Sequence, residues 1–266
     1  MKGILKFLSG LNDAKIDSTG DIKVLPRQNG VLLFPISIGK IEKEMSAENI
    51  FNFLETELHS KWRNYPLSIV FLYTGNVYSK YGFDSKKNND YKVEKHKLEC
   101  TRIINYSNYL TMDAFSFVNW NELFNSDSYV KEKFEELKNI YLSDQMFQNI
   151  MKSDLKRAGK SLDSNNINFL LEEMFLPYLF VKNKIDVKDK FTKNTKRFKL
   201  ICYSGNCLKI LLYIHKMNFF NLDKSTNVYQ NCFYNYKSKF LFNFDDIDLE
   251  NVSDLGQYVI DFRKNN

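Results

Sequence analysis

The chain has 266 residues, 44% of them apolar and 26% charged, ordinary globular values that exclude wholesale disorder. Ten Gly and four Pro exclude a collagen-like or Pro-rich chain. The net charge of +6 fits an anionic partner, although Lys, Asn, Phe, Tyr and Ile are all abundant, as an AT-rich coding sequence makes them, so the distribution of charge says more than its total. No apolar run approaches the roughly 20 residues of a spanning helix. The opening MKGILKFLSGLNDAK has too short an apolar stretch for a signal peptide. A cytoplasmic protein without membrane contact is expected, and a monomer.

There is no internal repeat and no linker rich in Gly, Pro or Ser. A single α/β domain over residues 1–266 is expected, with a core of about 28–240 and an acidic tail at 245–266. In chain order, residues 31–36 (VLLFPI) read as a buried strand. Residues 46–60 carry an apolar stripe at 50, 51, 54 and 58, with Ser46 placed to cap the helix. Residues 67–73 (LSIVFLY) form a second strand after Pro66. The polar, basic segment 86–112 predicts a long helix, and 114–118 a third strand. Residues 127–159 give a helical pattern through Phe134, Leu137, Ile140, Tyr141 and Met146. Residues 165–180 predict an apolar helix broken near Pro177. Residues 198–203 (FKLICY) are another strand, 206–217 another helix, and 226–244 a late hairpin or edge strand.

This alternation predicts a Rossmann-like, mainly parallel sheet with helices on both faces. Ligands in such sheets sit at the carboxyl ends of the strands. Ser37, Thr74, Gly75 and Tyr203 stand at those ends, and Ser37 and Tyr203 share one crevice if their strands are neighbours.

The sequence contains no GxGxxG, no GxxxxGK[ST] and no GxSxG, so the usual dinucleotide, P-loop and α/β-hydrolase devices are not supported. Cys100, Cys202, Cys207 and Cys232 follow neither a zinc spacing nor a disulfide framework, and His59, His96 and His215 are scattered. No metal site is expected. Glu172 and Glu173 interrupt the apolar helix NFLLEEMFLPYLF. Adjacent helical residues point about 100° apart, so the two cannot share an environment. A carboxylate against an apolar surface needs a partner, which makes one of the pair a candidate for binding an ammonium group. The last 26 residues carry a net −4, so residues 1–240 carry +10. Residues 182–199 hold eight bases and two acids, a solvated loop or a phosphate-binding segment.

The segment VLLFPISIG, with its Ser just past the first strand, resembles the strand-and-nucleophile segment of the tRNA-dependent cyclodipeptide synthases. FLLEEMF resembles that family's Tyr-x-x-x-Glu helix, and LICYSG its strand ending in an active-site Tyr. The three occur in the family's order, and the resemblance covers roughly residues 28–240. It implies a fold like the catalytic domain of class I aminoacyl-tRNA synthetases. It also implies two aminoacyl-tRNA substrates, a 2,5-diketopiperazine product, and no ATP or metal cofactor. By the match, Ser37 is the nucleophile that carries first an aminoacyl and then a dipeptidyl ester, Glu173 holds the substrate ammonium, and Tyr203 stands beside Ser37. The sequence also departs from the pattern. Phe169 takes the place of the motif Tyr, which leaves Glu172 as the alternative carboxylate if the register slips by one. Lys40 replaces the Asn of one subgroup, Ser204 follows the active-site Tyr, and Pro35 replaces a Gly.

The pocket for the first side chain is expected from Leu33 and Pro35, which alternate with Ser37 on one strand face, together with Phe71 and Leu200, while Phe169 and Lys40 are expected among the other substrate-binding residues. Its apolar lining points to a hydrophobic or aromatic first amino acid. The tRNA contacts are expected from Lys86, Lys87, Lys92, Lys95 and Arg102 on the basic helix, and from Lys193, Lys196 and Arg197 in the Lys-rich segment. Two other readings compete: a non-catalytic tRNA-binding protein of the same fold, and an atypical serine hydrolase.

Overall fold

The computed structural model describes residues 30–54, 67–107, 112–125, 128–181, 198–203, 208–221, 232–235 and 240–243. Its strands are β1 Gly30–Ile36, β2 Leu67–Tyr73, β3 Phe115–Asn119, β4 Phe198–Tyr203, β5 Cys232–Asn235 and β6 Phe240–Asn243. They form one sheet in the order β3-β2-β1-β4-β5-β6. β1 to β5 run parallel, and β6 pairs antiparallel with β5 as the far edge. This is the order of a doubly wound sheet, with its switch point between β1 and β4.

The helices follow from local chemistry. Helix α1 (Ala47–Phe53) starts where Ser46 accepts from the Asn49 N–H, as its sequence predicts. Helix α2 (Gly75–Lys80) follows β2 directly. It has six residues and no apolar stripe, and its sequence gives no sign of it. Helix α3 (Lys86–Tyr106) is capped by Ser85. Helix α4 (Trp120–Asn125) follows β3. The helical run expected over 127–159 is two helices, α5 (Ser128–Ser143) and α6 (Gln145–Arg157). Asp144 separates them because its carboxylate accepts from the Met146 and Phe147 N–H groups and begins a new helix. Helix α7 (Ser164–Glu173) ends before α8 (Leu176–Val181). Pro177 lies in the first turn of α8, where its missing N–H costs nothing. Helix α9 (Lys209–Lys216) follows β4.

Helices cover both faces, as expected of an α/β sheet. On one face, Leu33, Val70 and Leu72 join Val77, Trp120, Phe134, Phe147, Phe175 and Ile214 in the main core. On the other, Phe34 and Phe71 pack against Phe51 of α1, and His96 of α3 meets Phe71 edge-on. No helix among the described residues is long and apolar enough to cross a membrane.

His96 is 2% exposed. Its Nε2–H donates to the Met45 carbonyl at 3.0 Å, which leaves Nδ1 to accept from the Tyr73 hydroxyl at 2.9 Å. Burial holds its pKa down to about 4, so the folded ring is neutral where the unfolded one begins to charge. Its contribution is therefore complete above about pH 6.5 and is lost as pH falls toward 4. Urea unfolding at pH 7 and pH 4 is expected to show roughly 3 kcal/mol lost through this group, and His96→Gln should lessen the difference.

Candidate active site

Ser37 is the first residue after β1. The end of that strand is fastened to β2, because Thr74 gives both its N–H (3.3 Å) and its hydroxyl (3.0 Å) to the Ile36 carbonyl. The turn after Ser37 is packed just as closely. A Cβ on Gly75 would stand 3.3 Å from Ile38 and 3.2 Å from Val93, so a side chain at 75 would push these neighbours back by a few tenths of an ångström.

Ser37 opens onto a cavity of about 520 Å³, a size suited to a small-molecule group. Lys40, Tyr78, Lys160 and Glu173 also line it, and Leu155, Leu170, Met174 and Leu211 supply apolar wall. The Ser37 Oγ lies 2.7 Å from the Tyr78 Oη. Tyr78 stands on α2, the helix the sequence does not reveal, so sequence reasoning misses it. Burial and the nearby Glu173 charge push its phenol up to about 12, against the pull of its hydrogen bonds to Ser37 and the Gly39 backbone.

The two adjacent glutamates separate as their helical spacing requires. Glu172 is fully buried and accepts from Lys80 Nζ (2.5 Å), Tyr81 Oη (2.7 Å) and Trp120 Nε1 (3.0 Å). It ties α7 to α2 and α4 and has no part in the cavity wall. Glu173 is the cavity carboxylate. Desolvation raises it to about 7 and Glu172 adds repulsion, while Lys160 and Lys40 oppose the rise. Among the described residues no hydrogen bond reaches its carboxylate. Lys160 lies with its ammonium 4.2 Å from the Phe169 ring centroid and 4.4 Å from that of Phe83. Burial lowers its pKa, and Glu173 and Asp163 resist.

Of the expected pocket residues, Pro35, Lys40 and Phe169 line the cavity. Leu33 does not, because it is fully buried in the core beneath. Phe71 does not either: in register with Phe34, it lies on the opposite sheet face. The alternation along β1 is legible in the sequence, whereas the register of β2 against it is not. Leu200 pairs with Leu32, and Tyr203 ends β4 beside β1, so Ser37 and Tyr203 come from neighbouring strands. The side chains of Leu200 and Tyr203 lie outside the described residues, as do Lys193, Lys196, Arg197 and the acidic tail.

On α3, Lys86, Lys92 and Lys95 are paired with Asp90, Asp84 and Glu42. Lys87 and Arg102 are exposed on the same helix. Ion pairs on an accessible surface are weak, so the paired lysines can exchange partners.

No protein-family model matches the sequence, and no curated protein does. The fold is similar to solved structures of cyclodipeptide synthases. One from Fluoribacter dumoffii is 14% identical with a TM-score of 0.49, covering 72% of this chain and 84% of that one. One from Staphylococcus haemolyticus is 15% identical with a TM-score of 0.47, covering 75% and 87%. One from Streptomyces noursei is 14% identical with a TM-score of 0.41, covering 66% and 83%.

Proposed function

We propose that this chain is a cyclodipeptide synthase that joins the aminoacyl groups of two aminoacyl-tRNAs into a 2,5-diketopiperazine. One observation carries the reading. A serine hydroxyl at the switch point of a doubly wound sheet opens onto a mostly apolar cavity whose wall also carries a carboxylate without a hydrogen-bond partner among the described residues. An amino acid ester presents the matching groups: an electrophilic carbonyl, an ammonium and a side chain.

Ser37 attacks the carbonyl of the first aminoacyl ester, and the tRNA leaves with its ribose oxygen protonated. The amine of the Ser37-bound aminoacyl group then attacks the carbonyl of the second aminoacyl-tRNA, whose tRNA leaves with its ribose oxygen protonated, and a dipeptidyl ester is left on Ser37. The free amine of the dipeptide then closes the ring and releases Ser37. The ester is already activated, so the steps require orientation and proton transfer rather than ATP or a metal. Glu173 holds the ammonium of the first aminoacyl group, and Lys40 sits beside it. Leu155, Leu170 and Met174 favour a hydrophobic or aromatic side chain. Tyr203 acts beside Ser37, and Lys87 and Arg102 meet tRNA phosphate with the other bases of α3.

The test is to incubate the protein with charged tRNA, search for diketopiperazine masses, and look for an aminoacyl adduct on the peptide containing Ser37. Both are expected. Binding of charged tRNA with no acyl transfer would favour a tRNA-binding protein, and hydrolysis of simple esters with no cyclic product would favour a hydrolase.

Glu173 gives the reading a pH signature. Its carboxylate must be ionised to bind an ammonium, and its pKa in the free protein is about 7. kcat/KM for the first acylation is expected to rise about tenfold from pH 6 to pH 8 through this group. Glu173→Gln should lose at least about 30-fold in kcat/KM and with it that rise; a Gln variant with the wild-type profile would take ammonium binding away from Glu173.

A further inference from the structure

We infer that Tyr78 is a catalytic residue of the Ser37 reaction, passing the Ser37 proton to the leaving ribose oxygen and restoring to the site the hydroxyl that Phe169 lacks. This rests on the function proposed above and adds a residue that the resemblance does not assign.

Its position carries the inference. The Tyr78 Oη is 2.7 Å from the Ser37 Oγ, so it touches the atom that reacts. The Tyr78 ring meets the Phe169 ring edge-on, with centroids 5.1 Å apart and planes at 81°. Phe169 stands one helical turn before Glu173, where the resemblance calls for Tyr. The phenol beside Ser37 is thus carried by α2, in the same aromatic cluster as Phe169. The Gly39 backbone passes beside the phenol oxygen, which would stand 3.8 Å from a Cβ on that residue. When the Ser37 hydroxyl donates to the phenol oxygen, the phenol keeps its own O–H for a group in the cavity.

The step balances without a further reactant. The Ser37 oxygen bonds to the aminoacyl carbonyl carbon, and the bond from that carbon to the ribose oxygen breaks. The Ser37 proton moves to the Tyr78 oxygen while the Tyr78 proton moves to the ribose oxygen. The phenol is regenerated and no net charge is left in the cavity. A relay needs a phenol that stays protonated at working pH, and burial beside Glu173 provides that. A structural hydrogen bond to Ser37 would serve every leaving group equally, whereas a relay matters only when the leaving oxygen needs a proton.

That difference is the test. Single-turnover acylation of Ser37 is followed by intact mass, using aminoacyl-tRNA and the p-nitrophenyl ester of the same amino acid. Tyr78→Phe is expected to slow acylation by aminoacyl-tRNA about 100-fold but acylation by the p-nitrophenyl ester less than about fivefold, because p-nitrophenolate leaves without a proton. Equal losses with both esters, or no loss with either, would overturn the relay. Wild-type protein that neither ester acylates would instead overturn Ser37 as the nucleophile, so the two failures are distinguishable. Matching urea midpoints for Tyr78→Phe and wild type verify that the fold is intact.

Discussion

Ser37→Ala is expected to lower diketopiperazine formation at least about 1,000-fold, to background, because every proposed step passes through an ester on that oxygen. No second route bypasses it, so the loss should fall on turnover rather than on tRNA binding. The fold should survive the change. Ser37 is only half-buried, its Oγ is bonded to the Tyr78 Oη, and that ring keeps its contacts with Phe83 and Phe169. Losing one such hydrogen bond costs about 1 kcal/mol, which for a domain of this size lowers the melting temperature by no more than about 4 °C. Mass spectrometry of the medium from a host expressing each form makes the comparison directly and names both amino acids. A Ser37→Ala protein that makes product at the wild-type rate would place the nucleophile elsewhere.

Glu172→Ala is expected to cost about 3–5 kcal/mol of stability, the range for breaking a buried ion pair from one side. Glu172 is 0% exposed, and three donors from two other helical segments converge on it. Its removal leaves the Trp120 indole N–H and the Tyr81 hydroxyl without an acceptor in the core and opens a void beside them. Lys80 can turn outward, since its side chain is 44% exposed, so the lysine adds little to the penalty. Urea unfolding measures the loss. Stability within 1 kcal/mol of wild type would show that the three donors find other partners. Glu173→Gln is expected to behave oppositely: it should raise the melting temperature at pH 8, because it removes a charge that burial disfavours. That gain should vanish below about pH 4.5, where Glu173 is protonated in both folded and unfolded chains.

The strands of the site were plain in the sequence because a strand buried on both faces leaves a continuous apolar run. Residues 67–73 and 198–203 match the observed strands residue for residue. The adjacency of β1 and β4, the condition for Ser37 and Tyr203 to share a crevice, is met by the sheet order. What stayed hidden depended on contacts between distant segments. α2 is too short to show a period, so Tyr78 went unnoticed. Asp144 reads as one more polar residue until its carboxylate is seen capping α6. Phe71 faces away from the expected pocket because strand register is set in space and leaves no mark in either strand alone. The choice between Glu172 and Glu173 needed the positions of Lys80, Tyr81 and Trp120.

The pairing of β1 with β4 also governs when the site comes into being. β1 and β2 lie close in sequence and can associate early, but β4 reaches β1 only after the intervening helices have been made. Closing a sheet between such distant segments is the slow, late part of folding. On a growing chain Ser37 therefore emerges long before it has a cleft. An unfinished chain surrounded by charged tRNA carries an ordinary serine, and only completion of the sheet turns it into the residue proposed to accept an acyl group.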